Sequence, residues 1–443
     1  MTASPAAGEP TWFGQPRGLT ILFLTNMWET FSYYGMRALL VYYMTRELLI
    51  GQQGSSLIYG AYTAFAYFTP IIGGTIADRW LGKRRAVTIG AATMAAGHFL
   101  MAFEPAFYIA LATIALGNGL FLPTLPSQIN DLYSAGDPRR PWAYNVYYVG
   151  VNVGGFLAPL ICGTLGELYG WHWGFGAAGI GMLAGLVIYL AGGRYLPPER
   201  ARAATLPEGD ARPERRTDVA LLLLAVGLAV TVFRGAYEQV GNTLALFAAD
   251  GVDRAAGSFT IPMTWFISLN PLLVILMTPF LLARWRRRAA RGVEHSPIQK
   301  MAIGALVVGG AYAVLALAAF LAGDAKASWL WLAAFFVIFT LGELYILPNG
   351  LGLFARLAPP RLGATTVAAW YLAIFTGSLA AGLVGTLWSR LPTPAFFLLL
   401  TGIAGTAAAI LLGLDRPARR ILARSEEGDA IAVELTGPPA GGR

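Results

Sequence analysis

The sequence predicts an all-α integral membrane protein built from two bundles of about six helices each. Of its 443 residues, 56% are hydrophobic and only 13% are charged, whereas soluble domains carry about 25% charged residues. Apolar runs of about 20 residues, which is the length needed to cross a bilayer, recur about twelve times along the chain. A single long hydrophilic segment, residues 196–217, divides these runs into two sets.

The apolar runs follow one another with short polar connections, as transmembrane helices do. We expect helices at 18–45, 57–78, 86–104, 106–132, 142–166, 172–195, 218–249, 258–284, 299–322, 327–355, 362–389 and 394–414.

The hydrophilic segment is rich in Pro, Arg, Glu and Ala and has no apolar periodicity, which is typical of a linker. The expected domains are an N-terminal cytoplasmic tail 1–17, an N-terminal bundle 18–195, a cytoplasmic linker 196–217, a C-terminal bundle 218–414 and a C-terminal cytoplasmic tail 415–443. We expect the last tail to be solvated and without regular structure, because its sequence turns acidic and rich in Gly and Pro.

The basic residues of the connections indicate the orientation of the helices in the membrane. Lys and Arg concentrate in every second connection, and such loops lie in the cytoplasm. Both termini are then cytoplasmic, in a multi-pass protein of a bacterial inner membrane. The first seventeen residues lack a basic region followed by a short apolar core, so we expect no cleavable signal peptide.

Composition excludes several classes of function. The net charge of +8 lies mainly in these loops and is not a nucleic-acid signal. Cys162 is the single cysteine, and His98, His172 and His295 are far apart in sequence. We therefore expect no disulfide, metal or other cofactor. No nucleophile, metal or phosphate-loop motif occurs in a coherent setting, so we do not expect an enzyme.

Polar residues inside the apolar runs are the candidate functional residues. Glu29, Tyr33 and Arg37 recur at four-residue steps and share one face of the first helix. A charge at mid-membrane depth costs roughly 2.5–3.5 kcal/mol and usually faces a cavity or a partner. This face either lines a water-filled path or forms a structural ion pair. Asn152, Asn270 and Glu343 interrupt other apolar runs, and each needs a partner or water.

Sequence motifs then identify a family. The stretch GGTIADRWLGKRR at 73–85 resembles the cytoplasmic loop signature of the major facilitator superfamily. Its glycines allow a tight turn, and we expect its acid and cations to pair across the two halves or to cap helix ends. The members of this loop motif that we single out are Gly74, Asp78, Arg79, Gly82, Lys83 and Arg84.

Finer matches resemble the proton-dependent oligopeptide transporter family, within the same superfamily. They are FSYYGMR at 31–37, YFTPIIGGTIADRWLGKRR at 67–85, YYVGVNVGG at 147–155, WFISLNP at 265–271 and LGELYILPNG at 341–350. The resemblance implies the major facilitator fold of two six-helix bundles. It also implies a secondary transporter that imports di- and tripeptides or peptide-like solutes by alternating access with protons. We expect a monomer, because each chain holds a complete pathway. Many bacterial members carry two extra helices in the linker, for which this chain has no room.

The resemblance also implies roles for single residues. Glu343 would hold the amino terminus of the peptide, while Asn152 and Asn270 would bind its backbone. For each of the three, a purely structural role is the alternative. Arg37 and Glu238 would form a gating pair across the halves, which opens when Glu238 takes a proton. The remaining substrate-binding candidates, for which plain packing is the alternative, are Tyr33, Tyr34, Tyr67 and Trp370.

The chain also departs from the family pattern. The first helix usually carries Glu-x-x-Glu-Arg, but here Asn26 replaces the first acid and Thr30 the cation, which leaves Glu29 alone. In the fourth helix Leu122 stands where the family has Lys, and in the seventh Arg234 stands where an apolar or aromatic residue is usual.

These departures leave three interpretations of the site open. Glu29 could hold its proton at neutral pH, which would weaken proton coupling. The substrate could lack a free carboxylate or carry an amine that meets Glu29 and Glu343. Alternatively, Arg234 or Arg37 could take over the carboxylate clamp. The alternative functions are a proton-independent uniporter or exporter, a carrier of a different amine-bearing solute, and a membrane sensor that does not transport.

Overall fold

The computed structural model describes residues 11–12, 14–133, 137, 139–197, 213–292, 295–357 and 363–436. Most of the expected linker lies outside these residues. Fifteen α-helices are described: α1 (Arg17–Arg46), α2 (Gln52–Ile76), α3 (Lys83–Leu100), α4 (Phe107–Phe121), α5 (Thr124–Asp131), α6 (Arg140–Ala158), α7 (Thr164–Tyr169), α8 (Trp171–Ala191), α9 (Pro213–Tyr237), α10 (Thr243–Asp250), α11 (Met263–Ala289), α12 (Pro297–Ala322), α13 (Trp329–Leu357), α14 (Gly363–Gly385) and α15 (Thr393–Thr436).

The fifteen helices correspond to the twelve expected spans, because three spans are interrupted. The fourth span consists of α4 and α5, the fifth of α6 and α7, and the seventh of α9 and α10. Nine of the described spans are long and apolar enough to cross a membrane by length and composition. The first three helices do not meet that criterion; α1 carries Glu29 and Arg37 within its length. Six spans precede the linker and six follow it, so the predicted fold class is confirmed.

The interruptions have local causes. Pro123 separates α4 from α5, since proline lacks the amide needed for the helix ladder. A π-helical turn, Pro159–Gly163, joins α6 to α7, and a second one, Ala77–Leu81, extends α2. A 3₁₀ turn, Glu238–Gly241, joins α9 to α10.

Each half of the chain has its own hydrophobic core. The C-terminal core packs α9, α12, α13 and α15 around buried aromatic rings such as Tyr312, Phe335 and Phe397. The N-terminal core packs α1, α3, α4 and α8 around residues such as Met36, Tyr43 and Phe175. The described strands are six two-residue segments, β1 (Thr11–Trp12), β2 (Gln15–Pro16), β3 (Val252–Asp253), β4 (Ala255–Ala256), β5 (Phe259–Thr260) and β6 (Ala327–Ser328). Strands β1 and β2 pair antiparallel, β4 and β5 pair antiparallel, and β3 pairs parallel with β6.

The halves meet at one end of the molecule, which we call the sealed end; it carries the loops 47–51, 251–262 and 386–392. There α2 lies against α14 so closely that a Cβ on Gly60 would stand 2.5 Å from the Cα of Gly382. Likewise, α7 contacts the start of α11 through Glu167, whose carboxylate accepts hydrogen bonds from the amides of Met263 and Thr264, each at 3.0 Å.

Toward the opposite end, which carries residues 192–197 and 290–296 and is called the linker end, the same helices expose their sides. Ile72 on α2 is 51% exposed, and Leu276 and Phe280 on α11 are 53% and 77% exposed. Tyr148 on the matching part of α6 is 46% exposed. Gly155 of α6 packs near Pro271 of α11, in the part of α11 that precedes these residues. The described hydrogen bonds and ion pairs that join the two halves lie toward the sealed end.

Two expectations at the borders of the bundles are wrong. The helix of the seventh span begins at Pro213, five residues before the expected start at 218. The last helix does not stop near 414 but continues as α15 to Thr436. Its extension contains Ala, Leu, Arg and Glu, which all favour helix over irregular chain, so the expected absence of regular structure after 414 does not hold for residues 415–436.

Candidate functional site

A cavity between the two halves is the candidate binding site. Its empty space is about 580 Å³ including its opening. From the N-terminal half it is lined by Tyr34, Arg37, Ala38 and Gly155, and from the C-terminal half by Tyr237, Val240, Gly241, Ile267, Asn270, Pro271 and Phe339. The cavity lies beside the break between α9 and α10, near the level where α6 and α11 part. Three of the expected site residues, Tyr34, Arg37 and Asn270, are among its walls.

Glu343 lies next to this cavity and is bound to two of its wall residues. The phenol of Tyr237 donates a hydrogen bond to one carboxylate oxygen at 2.7 Å, and the amide of Asn270 donates to the other at 2.5 Å. Asn270 also donates to the hydroxyl of Thr340 at 3.1 Å. Glu343 is 9% exposed, and among the described ion pairs none involves it. A carboxylate held only by neutral donors retains its attraction for a cation.

Glu238 forms a second charged cluster at the inner side of the sealed end. One of its carboxylate oxygens pairs with Arg37 of α1 and the other with Arg234 of α9. Arg37 also donates to the phenol oxygen of Tyr59 through Nε at 2.8 Å and through its terminal nitrogen at 2.6 Å. Glu238 is 1% exposed and Arg234 is 2% exposed. The expected pair across the halves is thus present, with a second arginine added to it.

The three expected tyrosines lie around this cluster. Tyr33 and Tyr34 are in edge-to-face contact, and Tyr33 also stacks on Tyr62. The ring of Tyr67 faces the guanidinium of Arg234, with 5.2 Å from ring centre to the guanidinium carbon. Of the three, Tyr34 is a wall of the cavity. Tyr33 is buried, and its hydroxyl has no hydrogen-bond partner among the described residues.

Glu29 is buried within the N-terminal half. Its one hydrogen bond from a described side chain comes from the hydroxyl of Thr30 at 3.3 Å. No ion pair within the described chain includes it, which agrees with the absence of the two cations that the family pattern would supply. A Cβ on Gly185 of α8 would lie 3.9 Å from the backbone nitrogen of Glu29, so α8 packs against α1 at this position.

Asn152 and Trp370 lie outside the walls of the cavity. The amide of Asn152 donates to the carbonyl of Tyr148 in its own helix at 2.9 Å. Trp370 is 4% exposed and packs edge-to-face on Phe354. A Cβ on Gly350 would lie 2.2 Å from the Trp370 ring, so the indole fills the gap between α13 and α14. In this structure Trp370 packs as a buried aromatic residue between these helices, and its expected role in a side-chain pocket stays a prediction.

The loop motif lies at the linker end, within the N-terminal half. Gly82 has φ +78°, a conformation that favours glycine, and this confirms the tight turn. Lys83 pairs with Asp131 at 2.6 Å, and Arg84 donates to the carbonyls of Gly193 and Pro197. The described contacts of these cations stay in the N-terminal half, and the expected pairing across the halves is not among them. The bonds of Arg84 to carbonyls that follow α8 agree with the expected capping of helix ends.

Asp78 and Arg79, the remaining charged residues of the loop motif, are exposed. Gly74 packs against Pro123 at ordinary contact distance, and the closer approach is made by its neighbour Gly73, whose Cβ would lie 2.1 Å from the carbonyl oxygen of Gly119.

Sequence reasoning missed the amide network at the sealed end. Ser56 donates to Asn242 at 2.9 Å, and Gln52 donates to the carbonyl of Gly385 at 2.9 Å. Gln239 donates to the carbonyl of Ala381 at 2.8 Å. Tyr237, the donor to Glu343, was missed as well. The sequence did indicate a polar cluster here, because several polar residues occur at positions 234–243 of an otherwise apolar run.

Comparison with known proteins gives a consistent result. The family model described as POT family matches residues 84–203 and 214–399. The chain is 32% identical to the peptide transporter YePEPT of Yersinia enterocolitica, covering 95% of this chain and 98% of the relative. It is 30% identical to a di-/tripeptide transporter of Lactococcus lactis subsp. cremoris, with 91% and 96% covered. A crystal structure of a peptide transporter POT in complex with sulfate superposes with a TM-score of 0.86 at 29% identity, covering 93% of this chain and 97% of that one.

Proposed function

Because this chain belongs to the POT family of membrane transporters, we propose that it carries di- and tripeptides or peptide-like solutes across the membrane by alternating access. The relatives named above are peptide transporters and a di-/tripeptide transporter. The single observation that carries the proposal to this chain is Glu343, bound beside the cavity between the halves by two neutral donors.

The charge of Glu343 indicates which part of a substrate it receives. Tyr237 and Asn270 orient the carboxylate but do not neutralise it. An ionised carboxylate that is largely removed from water gains most from a cation that donates hydrogen bonds to it. The ammonium group of a peptide amino terminus has this chemistry. Asn270, whose amide is already on Glu343, and Tyr34 on the opposite wall are placed to contact the peptide backbone.

The direction and setting of transport are part of the same proposal. We propose that the cavity opens toward the linker end, which lies on the side of the basic connections and is therefore cytoplasmic. Both termini then lie on the cytoplasmic side of a bacterial inner membrane. We also propose that the chain acts as a monomer, because a single chain supplies both walls of the cavity. Solute that enters from outside must pass the sealed end, so the contacts there have to break once in each cycle. No catalytic step is required, and we do not propose one.

Proton coupling is proposed to be present but altered. Glu29 is the buried carboxylate of the first helix, and Thr30 and Leu122 occupy the positions where the family pattern has cations. A specific alternative follows from the same observation. With no cation at these positions, the chain would favour solutes that carry an amine but no free carboxylate, or would move its solute without protons.

The test is uptake of labelled dialanine into liposomes with and without an inward proton gradient. Accumulation that depends on the gradient supports the proposal. Entry that only equilibrates indicates a uniporter. If dialanine neither enters nor raises the melting temperature of the purified protein, the peptide assignment is wrong. Dialanine amide, which keeps the amine and lacks the carboxylate, serves as the comparison solute for the alternative.

A further inference from the structure

Glu238 forms ion pairs with two arginines, which belong to different halves of the chain. Arg37 lies on α1 in the N-terminal half. Arg234 lies one helical turn before Glu238, in the same half as the carboxylate. Each arginine binds a different carboxylate oxygen. Separation of the halves at the sealed end therefore removes Arg37 from Glu238 but leaves Arg234 in place.

Arg234 keeps one ring contact within its own half of the chain. Its guanidinium carbon lies 4.9 Å from the ring centre of Tyr237 on the same helix, and 5.2 Å from that of Tyr67 on α2 of the N-terminal half, which are distances at which a cation is attracted to a ring face. The contact with Tyr237 remains when the halves separate, whereas the contact with Tyr67 does not. The base of its side chain passes Gly377, where a Cβ would stand 2.4 Å from the Cβ of Arg234. A side chain larger than hydrogen at residue 377 would force α14 away from α9, so Gly377 lets the two helices approach closely at Arg234.

A buried carboxylate that loses its only cation must be neutralised in another way, and the usual way is to take a proton. With Arg37 as the sole partner of Glu238, opening of the sealed end would thus bring a proton to this residue. With Arg234 as a second partner, the negative charge remains compensated in both conformations.

We propose that Arg234 replaces the proton at Glu238, so that the contact between Arg37 and Glu238 opens and closes without proton uptake at that carboxylate. The proposal deepens the proposed function, because it rests on alternating access. It assigns Arg234 as a positioning residue of the gate, and it moves proton coupling, where present, away from Glu238 toward other carboxylates such as Glu29.

Among the other groups facing Glu238, one is a second carboxylate, and the test with E238Q therefore has to separate the two. From α1 they are Tyr33, Tyr34 and Arg37, from α2 Tyr59, from α12 Tyr312 and from α13 Glu343. The phenols are uncharged near neutral pH. Glu343 is bound to Tyr237 and Asn270 and makes no contact with Glu238 among the described hydrogen bonds.

The test measures the gate itself, without any substrate. The side chains of Gln53 and Ser389 contact each other across the sealed end at 3.3 Å. Nitroxide labels on cysteines at these two positions will broaden each other's EPR spectrum when the end is closed and not when it is open. Cys162 is fully buried and will remain unlabelled. The closed-to-open ratio is measured from pH 5.5 to 8.5 in the full chain and in variants.

In the otherwise native chain we expect E238Q to leave the pH dependence of this ratio unchanged. R234M should make the ratio rise with pH by up to tenfold per unit, since opening then requires one proton on Glu238. The double variant R234M/E238Q should lose that slope, because the amide needs no proton. R234K, which keeps the positive charge, is the matched control and should retain the native profile.

Two results would overturn the proposal: a native pH slope that E238Q abolishes, or an R234M profile with no added slope. If R234M does not fold, the E238Q comparison alone decides. A failure of dialanine uptake would count against the proposed function and would leave the EPR result on the gate valid, so the two ideas fail separately.

Discussion

Replacement of Glu343 by Gln probes the amine contact directly. The amide can keep the hydrogen bond from Tyr237 through its oxygen, but its NH₂ group then faces the amide donor of Asn270, which lies 2.5 Å from the present oxygen. This mismatch is present in the free and in the bound protein, so it lowers stability and does not enter the affinity. A hydrogen bond to a charged group contributes about 1.5–3 kcal/mol. Taking about 3 kcal/mol for the lost contact with the ammonium group, dialanine affinity should fall by a factor of about 150.

Binding of dialanine to the purified protein by titration calorimetry measures this loss. N-acetyl-dialanine, which has no ammonium group, should bind weakly to the native protein and lose much less on the substitution. Glu104→Gln is the matched control, since Glu104 is an exposed carboxylate in the short turn before α4. A dialanine affinity of the Glu343 variant within threefold of the native value would refute the assignment of Glu343 to the amine.

Three further predictions concern coupling and the sealed end. Thr30→Arg combined with Leu122→Lys should increase the stimulation of dialanine uptake by a proton gradient several-fold, and an unaltered pH profile of uptake would contradict this. Glu167→Gln should destabilise the closed conformation of the sealed end by about 1–2 kcal/mol, because it removes a negative charge at the N-terminus of α11 and one hydrogen-bond acceptor. The EPR broadening between labels at residues 53 and 389 should decrease, and an unchanged spectrum would contradict this prediction. Gly60→Val should force α2 away from α14 and open the same end, whereas Gly310→Val, with open space around it, should not.

The architecture could be predicted well from the sequence, because membrane spans are defined by length and apolarity alone. The structure and the family comparison confirm two six-span bundles and the resemblance to the oligopeptide transporters. The predicted pair of Arg37 with Glu238 is present for a related reason. Two opposite charges in separate membrane spans avoid contact with lipid by forming an ion pair, and few other charged side chains in the spans could have paired with either of them.

The details of the site could be predicted less completely. Trp370 has the same local sequence whether it faces a solute or fills a core, and the sequence could not show that its ring packs closely on Gly350. Tyr237 was missed because a tyrosine in an apolar run is unremarkable until its hydroxyl is seen on Glu343. The helix breaks were missed because π and 3₁₀ turns require only a local change in hydrogen bonding, which apolar periodicity does not reveal.

The 3₁₀ turn Glu238–Gly241 divides the seventh span at the level of its gating carboxylate. Beyond this turn, the eight-residue helix α10 ends at Asp250, which forms an ion pair with Arg46 at the sealed end. A break of this kind acts as a pivot, because the two parts of the span share no continuous ladder of backbone bonds. If the sealed end opens during transport as we propose, we expect the short helix α10 to tilt while the longer helix α9 keeps Arg234 beside Glu238.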